Sequence, residues 1–255
     1  MKKNAPTIRV KNLYAGYQGV PLMEDINFEV HAGEIFIILG GSGCGKSTLL
    51  KHMSGLVPPV SGEIFIGDKD LCTARGSQRR RLLRQFGMAF QNGALFGSMS
   101  VLENLLLPLE EYSSLPRHLL VSIAMTKLGL VGLAPHAQAL PDALSGGMRK
   151  RAAIARAMVL DPGILFLDEP SAGLDPLTSA GLDQLILSLS RNLNMSIVIV
   201  THELDSILSI GDTAIVLEKE KRGIIARGDP KAMKTDRSTP YVHAFFNRNP
   251  QEVLP

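Results

Sequence analysis

The sequence predicts an α/β protein: a parallel β-sheet core, an antiparallel β subdomain and an inserted helical subdomain. Three observations support this fold class. Apolar runs typical of buried parallel strands alternate with helical segments in the second half, as in "ILFLDE", "SIVIVTHE" and "TAIVLEKE". Shorter runs near the start are interrupted by glycine and proline. A leucine-rich stretch of helical texture separates these two parts.

The composition predicts a folded chain with a sizeable core. Of the 255 residues, 45% are hydrophobic, and the formal net charge is +3. Scattered charge of this size argues against nucleic acid as the main partner. The two cysteines make no disulfide framework and suit a reducing compartment. The first ten residues lack the apolar core of a signal peptide, and no apolar stretch approaches the roughly 20 residues that span a bilayer, so we expect a cytoplasmic chain.

The first elements are predicted to be antiparallel strands. Between residues 7 and 30, runs such as "TIRVKNL" and "INFEV" are broken by Gly16, Gly19 and Pro21, which favour turns. A further strand is expected in "SGEIFIGDKDL" from Ser61. These segments together make the antiparallel subdomain.

The segment "ILGGSGCGKST", residues 38–48, matches the phosphate-loop pattern between a buried strand, "EIFIIL", and a helix, "STLLKHMSGL". Glycine lets the backbone curl around an anion with N–H groups pointing inward, and the helix N-terminus adds positive potential. Lys46 would reach the outer phosphates and Ser47 would supply a hydroxyl to Mg²⁺. A glycine-rich turn without a ligand is the alternative. The residues expected to bind here are Gly40, Gly41, Ser42, Gly43, Cys44, Gly45, Lys46, Ser47 and Thr48.

Two helical regions follow. "SQRRRLLRQFG" predicts a basic amphipathic helix whose arginines form a solvated face or contact lipid headgroups or a partner. Residues 92–145, rich in leucine and punctuated by proline, are predicted to form the inserted helical subdomain. Ser100 and Glu103 predict a capping box at the start of "SVLENLLLPL".

After the insertion, the buried strand in "GILFLDEP" ends in two acids. At this position Asp168 would hold Mg²⁺. Glu169 would polarise the attacking water as a general base. Taken alone, the same residues also fit a surface turn at a strand end.

The segment "ALSGGMRKRAAIARAMVLDP" decides the class. Its "LSGG", residues 144–147, opens a long helix and matches the ABC-transporter signature, and the chain resembles that ATPase family over about residues 7–230. The resemblance implies a P-loop NTPase of the ABC-ATPase fold with a RecA-like core, which binds and hydrolyses ATP with Mg²⁺.

The resemblance also implies roles for single residues. Tyr17 lies where an aromatic residue of the family stacks on adenine, and Gln91 lies in the Q-loop. The segment "SAGLD", which ends at Asp175, corresponds to the D-loop, and His202 lies where a histidine of the family contacts the γ-phosphate. Each of these residues alone also fits an ordinary core or surface position. The implied catalytic set is Glu169, His202, Gln91 and Lys46; the magnesium set is Ser47, Gln91 and Asp168; the nucleotide set adds Tyr17, Ser145, Gly146, Gly147 and Asp175 to the phosphate loop.

The signature is predicted to act on a second copy of the chain. Free N–H groups and the dipole of its helix make an anion site with no phosphate of its own nearby. In the family, the signature covers the γ-phosphate of the opposite subunit, so the resemblance implies a homodimer that encloses two ATP molecules. Closing of this dimer is a two-state switch, with Gln91 as the hinge between core and insertion.

The insertion carries a finer resemblance. "FQNGALFGSMSVLENLLLPL" and the signature are similar to Mla-type, MCE-associated lipid transport ATPases of double-membrane bacteria. This similarity implies lipid cargo such as phospholipid, an integral-membrane permease, an MCE-domain protein, a STAS-domain small subunit and a place on the cytoplasmic face of the inner membrane. Gly41, where proline is commoner, and Met148, where glutamine is commoner, support it. "GALF" also fits an apolar turn packed against the core.

We expect a single ATPase domain over residues 1–230, with the core in 7–91 and 146–230 and the insertion in 92–145, followed by an extension over 231–255. In the extension, Tyr241, Phe245 and Phe246 are spaced to pack on the chain's own surface or on a partner. Two other functions stay open: the ATPase of a small-solute importer, such as one for amino acids, and a non-transport ABC clamp on ribosomes or DNA. The single phosphate loop and the lack of sustained heptads argue against the clamp.

Overall fold

The computed structural model describes residues 6–249, so part of the predicted N-terminus and the last residues of the extension lie outside the described residues. The strands are β1 (Pro6–Tyr17), β2 (Val20–His31), β3 (Ile35–Gly40), β4 (Ser61–Ile66), β5 (Lys69–Asp70), β6 (Phe86–Ala89), β7 (Ile164–Asp168), β8 (Ser196–Val200), β9 (Thr213–Glu218) and β10 (Gly223–Gly228). The α-helices are α1 (Lys46–Met53), α2 (Gly76–Leu83), α3 (Val101–Tyr112), α4 (Arg117–Leu130), α5 (Gly146–Ala157), α6 (Pro176–Leu193), α7 (Leu204–Ile210), α8 (Pro230–Thr235) and α9 (Pro240–Asn247).

Two sheets organise the chain, which confirms the predicted fold class. The smaller sheet is antiparallel, with the strand order β2-β1-β4-β5. The larger sheet has the order β10-β9-β3-β8-β7-β6, and its strands from β9 to β6 run parallel. β10 pairs antiparallel with β9 at the edge, an element that the sequence analysis did not predict.

The larger sheet is buried on both faces, which is why its strands are continuous apolar runs. In β3, Ile35, Ile37 and Leu39 belong to the core shared with the helices of the insertion and with α5 and α6. Phe36 and Ile38 point to the opposite face, toward α1 and the antiparallel sheet, where Phe36 stacks on Phe28 at 5.1 Å between ring centroids. This sandwich fixes the carboxyl ends of β3, β7 and β8 side by side.

The predicted basic helix is present as α2, and two of its arginines are structural. Arg79 donates to the carbonyl oxygens of Gly55 (2.6 Å) and Leu71 (3.2 Å). Arg84 at the end of the helix lies over the ring of Tyr112, 5.7 Å from its centroid. The solvated face predicted from the sequence is therefore smaller than the charge pattern suggested.

The insertion contains α3 and α4, and α3 starts with the predicted capping box. The Ser100 hydroxyl accepts from the Glu103 N–H at 3.2 Å, and the Ser100 N–H donates to the Glu103 carboxylate at 2.7 Å. Among residues 6–249, no helix combines the length and the apolarity needed to cross a membrane.

The side chain of Asn104 in α3 holds the preceding loop. Its amide oxygen accepts from the Phe96 N–H at 2.8 Å, and its amide nitrogen donates to the carbonyl oxygens of Phe96, Met99 and Ser100 at 3.0–3.1 Å. Asn104 is fully buried, whereas the Phe96 side chain is 51% exposed. The buried Asn104 side chain thus holds a loop in which Leu95 packs against the core, as the apolar-turn interpretation predicted, while Phe96 faces outward.

Asn104→Ala is expected to lower the free energy of unfolding by about 3 kcal/mol, because several buried backbone groups lose their partner at once. Denaturant unfolding measures this change. Asn192→Ala is the matched control, since Asn192 lies on the exposed face of α6 and, within residues 6–249, its side chain bonds only to Ser188. We expect the control to change stability by less than about 0.5 kcal/mol. Equal losses in the two variants would contradict the role given to Asn104.

The extension folds back onto its own chain. Val242 and Phe246 of α9 are buried in the main core, and Tyr241 and Phe245 pack against it. Of the two alternatives for these aromatic residues, the described structure therefore shows packing on the chain's own surface.

Candidate functional site

The loop between β3 and α1 curls as the phosphate-loop pattern predicts. Gly40 has φ +151° and lies so close to β9 that an added Cβ would be 2.3 Å from the carbonyl oxygen of Leu217. Gly45, the N-cap of α1, has φ +101°, a value that residues with a Cβ rarely adopt. Glycine at these two positions is required by the backbone path.

A cavity of about 860 Å³ opens over this loop. The Lys46 ammonium lies at the loop, where it donates to the carbonyl oxygens of Gly40 (2.8 Å) and Gly41 (3.0 Å). The predicted residues that line the cavity are Gly40, Gly41, Ser42, Gly43, Gly45, Lys46, Ser47, Thr48, Gln91, Glu169 and His202. The structure thus brings together most of the predicted catalytic and phosphate-binding set.

Cys44 and Tyr17 belong to the phosphate loop or lie next to it, but they do not line this cavity. The Cys44 side chain points away from the cavity and is buried beneath the loop, where desolvation raises the pKa of its thiol. Tyr17 lines a neighbouring hollow with Val57–Val60, and its hydroxyl is 3.3 Å from the Thr48 hydroxyl. Tyr17 therefore sits beside the phosphate loop rather than inside the main cavity.

The side-chain oxygens of Ser47, in the first turn of α1, and Asp168, at the end of β7, lie next to each other. The Ser47 hydroxyl donates to the Asp168 carboxylate at 3.1 Å. Burial raises the pKa of Asp168, and the hydrogen bond from Ser47 opposes that shift. Among residues 6–249, no three His, Cys, Asp or Glu side chains are arranged to hold a metal ion. Two protein oxygens fit Mg²⁺, which takes its remaining ligands from water and substrate phosphates.

Glu169 follows Asp168 in a strained backbone conformation. Its φ is +47°, and its N–H donates to the carbonyl oxygen of Val200 at 2.8 Å, so it is held against β8. One carboxylate oxygen, Oε1, is 2.9 Å from Nδ1 of His202. The other, Oε2, is buried and has no hydrogen-bond partner among the described residues. A held carboxylate with one unused oxygen suits a base that accepts a proton.

His202 connects this acid to the mouth of the cavity. It follows β8, and its side chain is about half exposed. While Nδ1 contacts Glu169, Nε2 lies 3.6 Å from a carboxylate oxygen of Glu203. The imidazole therefore spans two acids, one on each side.

Lys150 is a site residue that the sequence analysis missed. Its ammonium donates to the carbonyl oxygen of Glu169 at 3.0 Å and to the carbonyl oxygen of Gln91. Desolvation lowers its pKa, and the carboxylates of Glu169 and Asp168 oppose that shift. The sequence shows a lysine in the signature helix, but it does not show which groups that lysine contacts. This side chain ties the signature helix to the Q-loop and to the acid pair.

The signature residues lie away from the main cavity. Ser145 caps α5 by accepting from the Met148 N–H at 3.3 Å. Gly147 is buried, and an added Cβ would lie 2.4 Å from the Thr178 side chain. Gly146 lines a second cavity of about 480 Å³, together with Gln91 and Lys150. The arrangement agrees with a signature that faces something other than its own phosphate loop.

Asp175 lies outside both cavities and caps α6. Its carboxylate accepts from the N–H groups of Leu177 (3.1 Å) and Thr178 (3.0 Å). Hydrogen bonds from Thr178 lower its pKa. In the described chain its visible role is structural, so a nucleotide contact of Asp175 depends on a second subunit.

Comparisons with known proteins agree with this geometry. A family model described as "ABC transporter" matches residues 23–172. The chain is 38% identical over 225 residues to the intermembrane phospholipid transport system ATP-binding protein MlaF of Haemophilus influenzae. This match covers 88% of this chain and 84% of that protein. It is 37% identical over 240 residues to the probable ribonucleotide transport ATP-binding protein mkl of Mycobacterium leprae, covering 94% of this chain and 68% of that protein.

Solved structures give the same result. The chain is similar to the ATP-binding cassette MJ0796 in a dimeric, post-hydrolysis state with ADP and Pi, with a TM-score of 0.78 and 27% identity. The likeness covers 88% of this chain and 98% of that cassette.

Proposed function

The chain belongs to the ABC transporter family as an ATP-binding and ATP-hydrolysing subunit, and from that premise we propose that it energises phospholipid transport between the inner and outer membranes. The observation that carries the proposal is the likeness to MlaF, whose name specifies intermembrane phospholipid transport and which is matched over most of both chains. The insertion segment that resembles lipid transport ATPases lies within this matched length. The mycobacterial relative is named for another cargo, so the cargo needs a direct test.

The site supports a division of roles among its residues. Lys46 and the loop amides hold the phosphates, and Ser47 and Asp168 hold Mg²⁺. When bound, the ion neutralises charge on the phosphate oxygens. Glu169 accepts the proton of the attacking water on Oε2, the oxygen without a partner.

The remaining predicted residues complete the proposal. His202 holds Oε1 of Glu169 and contacts the γ-phosphate, as the family resemblance implies. Gln91 contacts the Mg²⁺ site and relays its state to the insertion. Tyr17 stacks on the adenine from the neighbouring hollow, close to Thr48.

ATPases of this family form dimers and work with a membrane permease. We propose that Ser145, Gly146 and Gly147 cover the γ-phosphate of the partner chain, and that Asp175 approaches the same site. The exposed Phe96 on its fixed loop supports contact of the insertion with the permease. The proposal includes an MCE-domain protein, a STAS-domain small subunit and a place on the cytoplasmic face of the inner membrane.

The proposed function applies to one ATPase domain followed by a C-terminal extension. We propose one ATPase domain over residues 1–230, with its core in 7–91 and 146–230 and its insertion in 92–145. The start of α5 at Gly146 supports the second boundary of the insertion. Residues 231–255 form the extension, which packs back on the core through α9.

Affinity purification of the Glu169→Gln chain tests the cargo. The tagged chain is extracted from native membranes in mild detergent with MgATP, and co-purifying proteins and lipids are identified by mass spectrometry. We expect a polytopic permease, an MCE-domain protein and phospholipid. Lys46→Ala is the control, because loss of the phosphate-binding cation should remove the MgATP dependence of the assembly.

Two results would overturn the proposal. A solute permease with a soluble solute-binding protein, and no enrichment of phospholipid, would make the chain the ATPase of a small-solute importer. Recovery of ribosomes or DNA in place of a permease would make it a non-transport clamp.

A further inference from the structure

The C-terminal helix α9 supplies a wall of the nucleotide cavity. Phe245 and Arg248 line the same cavity as the phosphate loop, Glu169 and His202. Neither residue was predicted to belong to the nucleotide site, although Phe245 was predicted to pack on the chain's own surface or on a partner. The site as described from the motifs is therefore incomplete on this side.

Helix α9 is fixed in this place by contacts with its own chain. Val242 and Phe246 are almost fully buried. The Asn247 amide donates to the carbonyl oxygens of Lys234 (3.0 Å) and His243 (2.9 Å). The helix is thus anchored before Phe245 and between Phe245 and Arg248.

The phosphate loop itself makes room for α9. The Tyr241 hydroxyl lies beside the backbone of Gly41; burial raises the pKa of the phenol, and the Gly41 backbone opposes that shift. A Cβ at Gly41 would lie 3.0 Å from that hydroxyl, so a proline, the commoner residue there in the wider family, would require Tyr241 to shift. Gly41 and Tyr241 therefore fit each other, which ties the departure from the family pattern to the position of α9.

Arg248 brings a positive charge to the cavity rim. It ends α9 with φ +52°, and its N–H donates to the carbonyl oxygen of Phe245 at 3.4 Å. Within residues 6–249, its guanidinium has no ion pair and no hydrogen bond, and the residue is exposed. A guanidinium binds phosphate through paired N–H groups, and the cavity is where the phosphates are expected.

We propose that Arg248 is a nucleotide-binding residue that contacts the phosphates of ATP from α9, and that Phe245 forms the adjoining wall. The inference rests on the proposed nucleotide site but not on the cargo. It makes the extension part of the ATP site of its own chain, so that nucleotide binding stabilises the position of α9.

Titration of MgATP into the Glu169→Gln chain tests the role of Arg248. Arg248→Gln keeps a polar, unbranched side-chain stem but removes the charge and the guanidinium, and we expect the Kd for MgATP to rise about tenfold, as for loss of one charge-assisted contact. Arg237→Gln is the matched control, because Arg237 is an exposed cation of the same extension that does not line the cavity. We expect its Kd to stay within twofold of the parent.

The outcomes separate this inference from the proposed site. If Lys46→Ala abolishes binding while Arg248→Gln leaves the Kd within twofold, the nucleotide site stands and the role of Arg248 is wrong. If Lys46→Ala binds MgATP as the parent does, the nucleotide site itself fails.

A fluorescence measurement tests the wall directly. The chain contains no tryptophan, so Phe245→Trp places a single reporter on α9. MgATP should change its emission, whereas Phe65→Trp on the antiparallel sheet should give no change, since Phe65 packs against Arg9 and Lys11 outside the cavity. Unchanged emission from Phe245→Trp at saturating MgATP would exclude α9 as a wall of the site.

Discussion

The Glu169→Gln chain is expected to bind ATP as the parent does and to hydrolyse it at least about a hundredfold more slowly, since general-base catalysis contributes factors of this size. Glutamine keeps the shape of the side chain but cannot take a proton at neutral pH. The buried Oε2 has no other task among the described residues, and Oε1 is held by His202. The effect should therefore fall on the chemical step and spare binding.

Phosphate release and MgATP titration measure the two effects separately. Size-exclusion chromatography with MgATP should show the variant accumulating as a dimer, because in the proposed arrangement the γ-phosphate joins the two chains and persists. Glu220→Gln, in the exposed turn between β9 and β10, is the control and should keep the parent rate. Parent turnover in Glu169→Gln would exclude Glu169 as the base.

The features that the sequence predicted well depend on local patterns. The phosphate loop needs glycine where the backbone requires a positive φ, as at Gly45, and such a requirement is visible in a single segment. Glu169 after β7 and His202 after β8 meet because parallel strands end at one edge of the sheet. The fold class and most of the site could therefore be predicted before any coordinates.

The missed features depend on contacts between distant segments. Lys150 bonds to carbonyl oxygens 59 and 19 residues away, and a backbone carbonyl leaves no trace in the residue pattern. Arg248 reaches the cavity only because α9 folds back over the loop. Such contacts follow from tertiary packing and have no periodic signature.

Lys150→Met is expected to lower kcat about ten- to a hundredfold and to leave the Kd for MgATP within about twofold. Glu169 sits at a φ of +47°, a conformation that neighbouring contacts must hold, and Lys150 provides one of them. Methionine fills similar volume but donates no hydrogen bond, so the base loses its position while the phosphate loop is untouched. Displacement of a catalytic group by about 1 Å costs rates of this order.

Steady-state kinetics of the parent, Lys150→Met and Lys150→Gln separate two explanations of that loss. Glutamine keeps an N–H donor but removes the charge. If Lys150 acts by holding the carbonyl oxygens of Glu169 and Gln91, glutamine should restore most of kcat. If its charge near Asp168 and Glu169 matters instead, glutamine should be as slow as methionine, and the positioning role would be wrong. An unchanged kcat in both variants, with unchanged thermal stability, would mean that the tie between signature helix, Q-loop and acid pair is not used in hydrolysis.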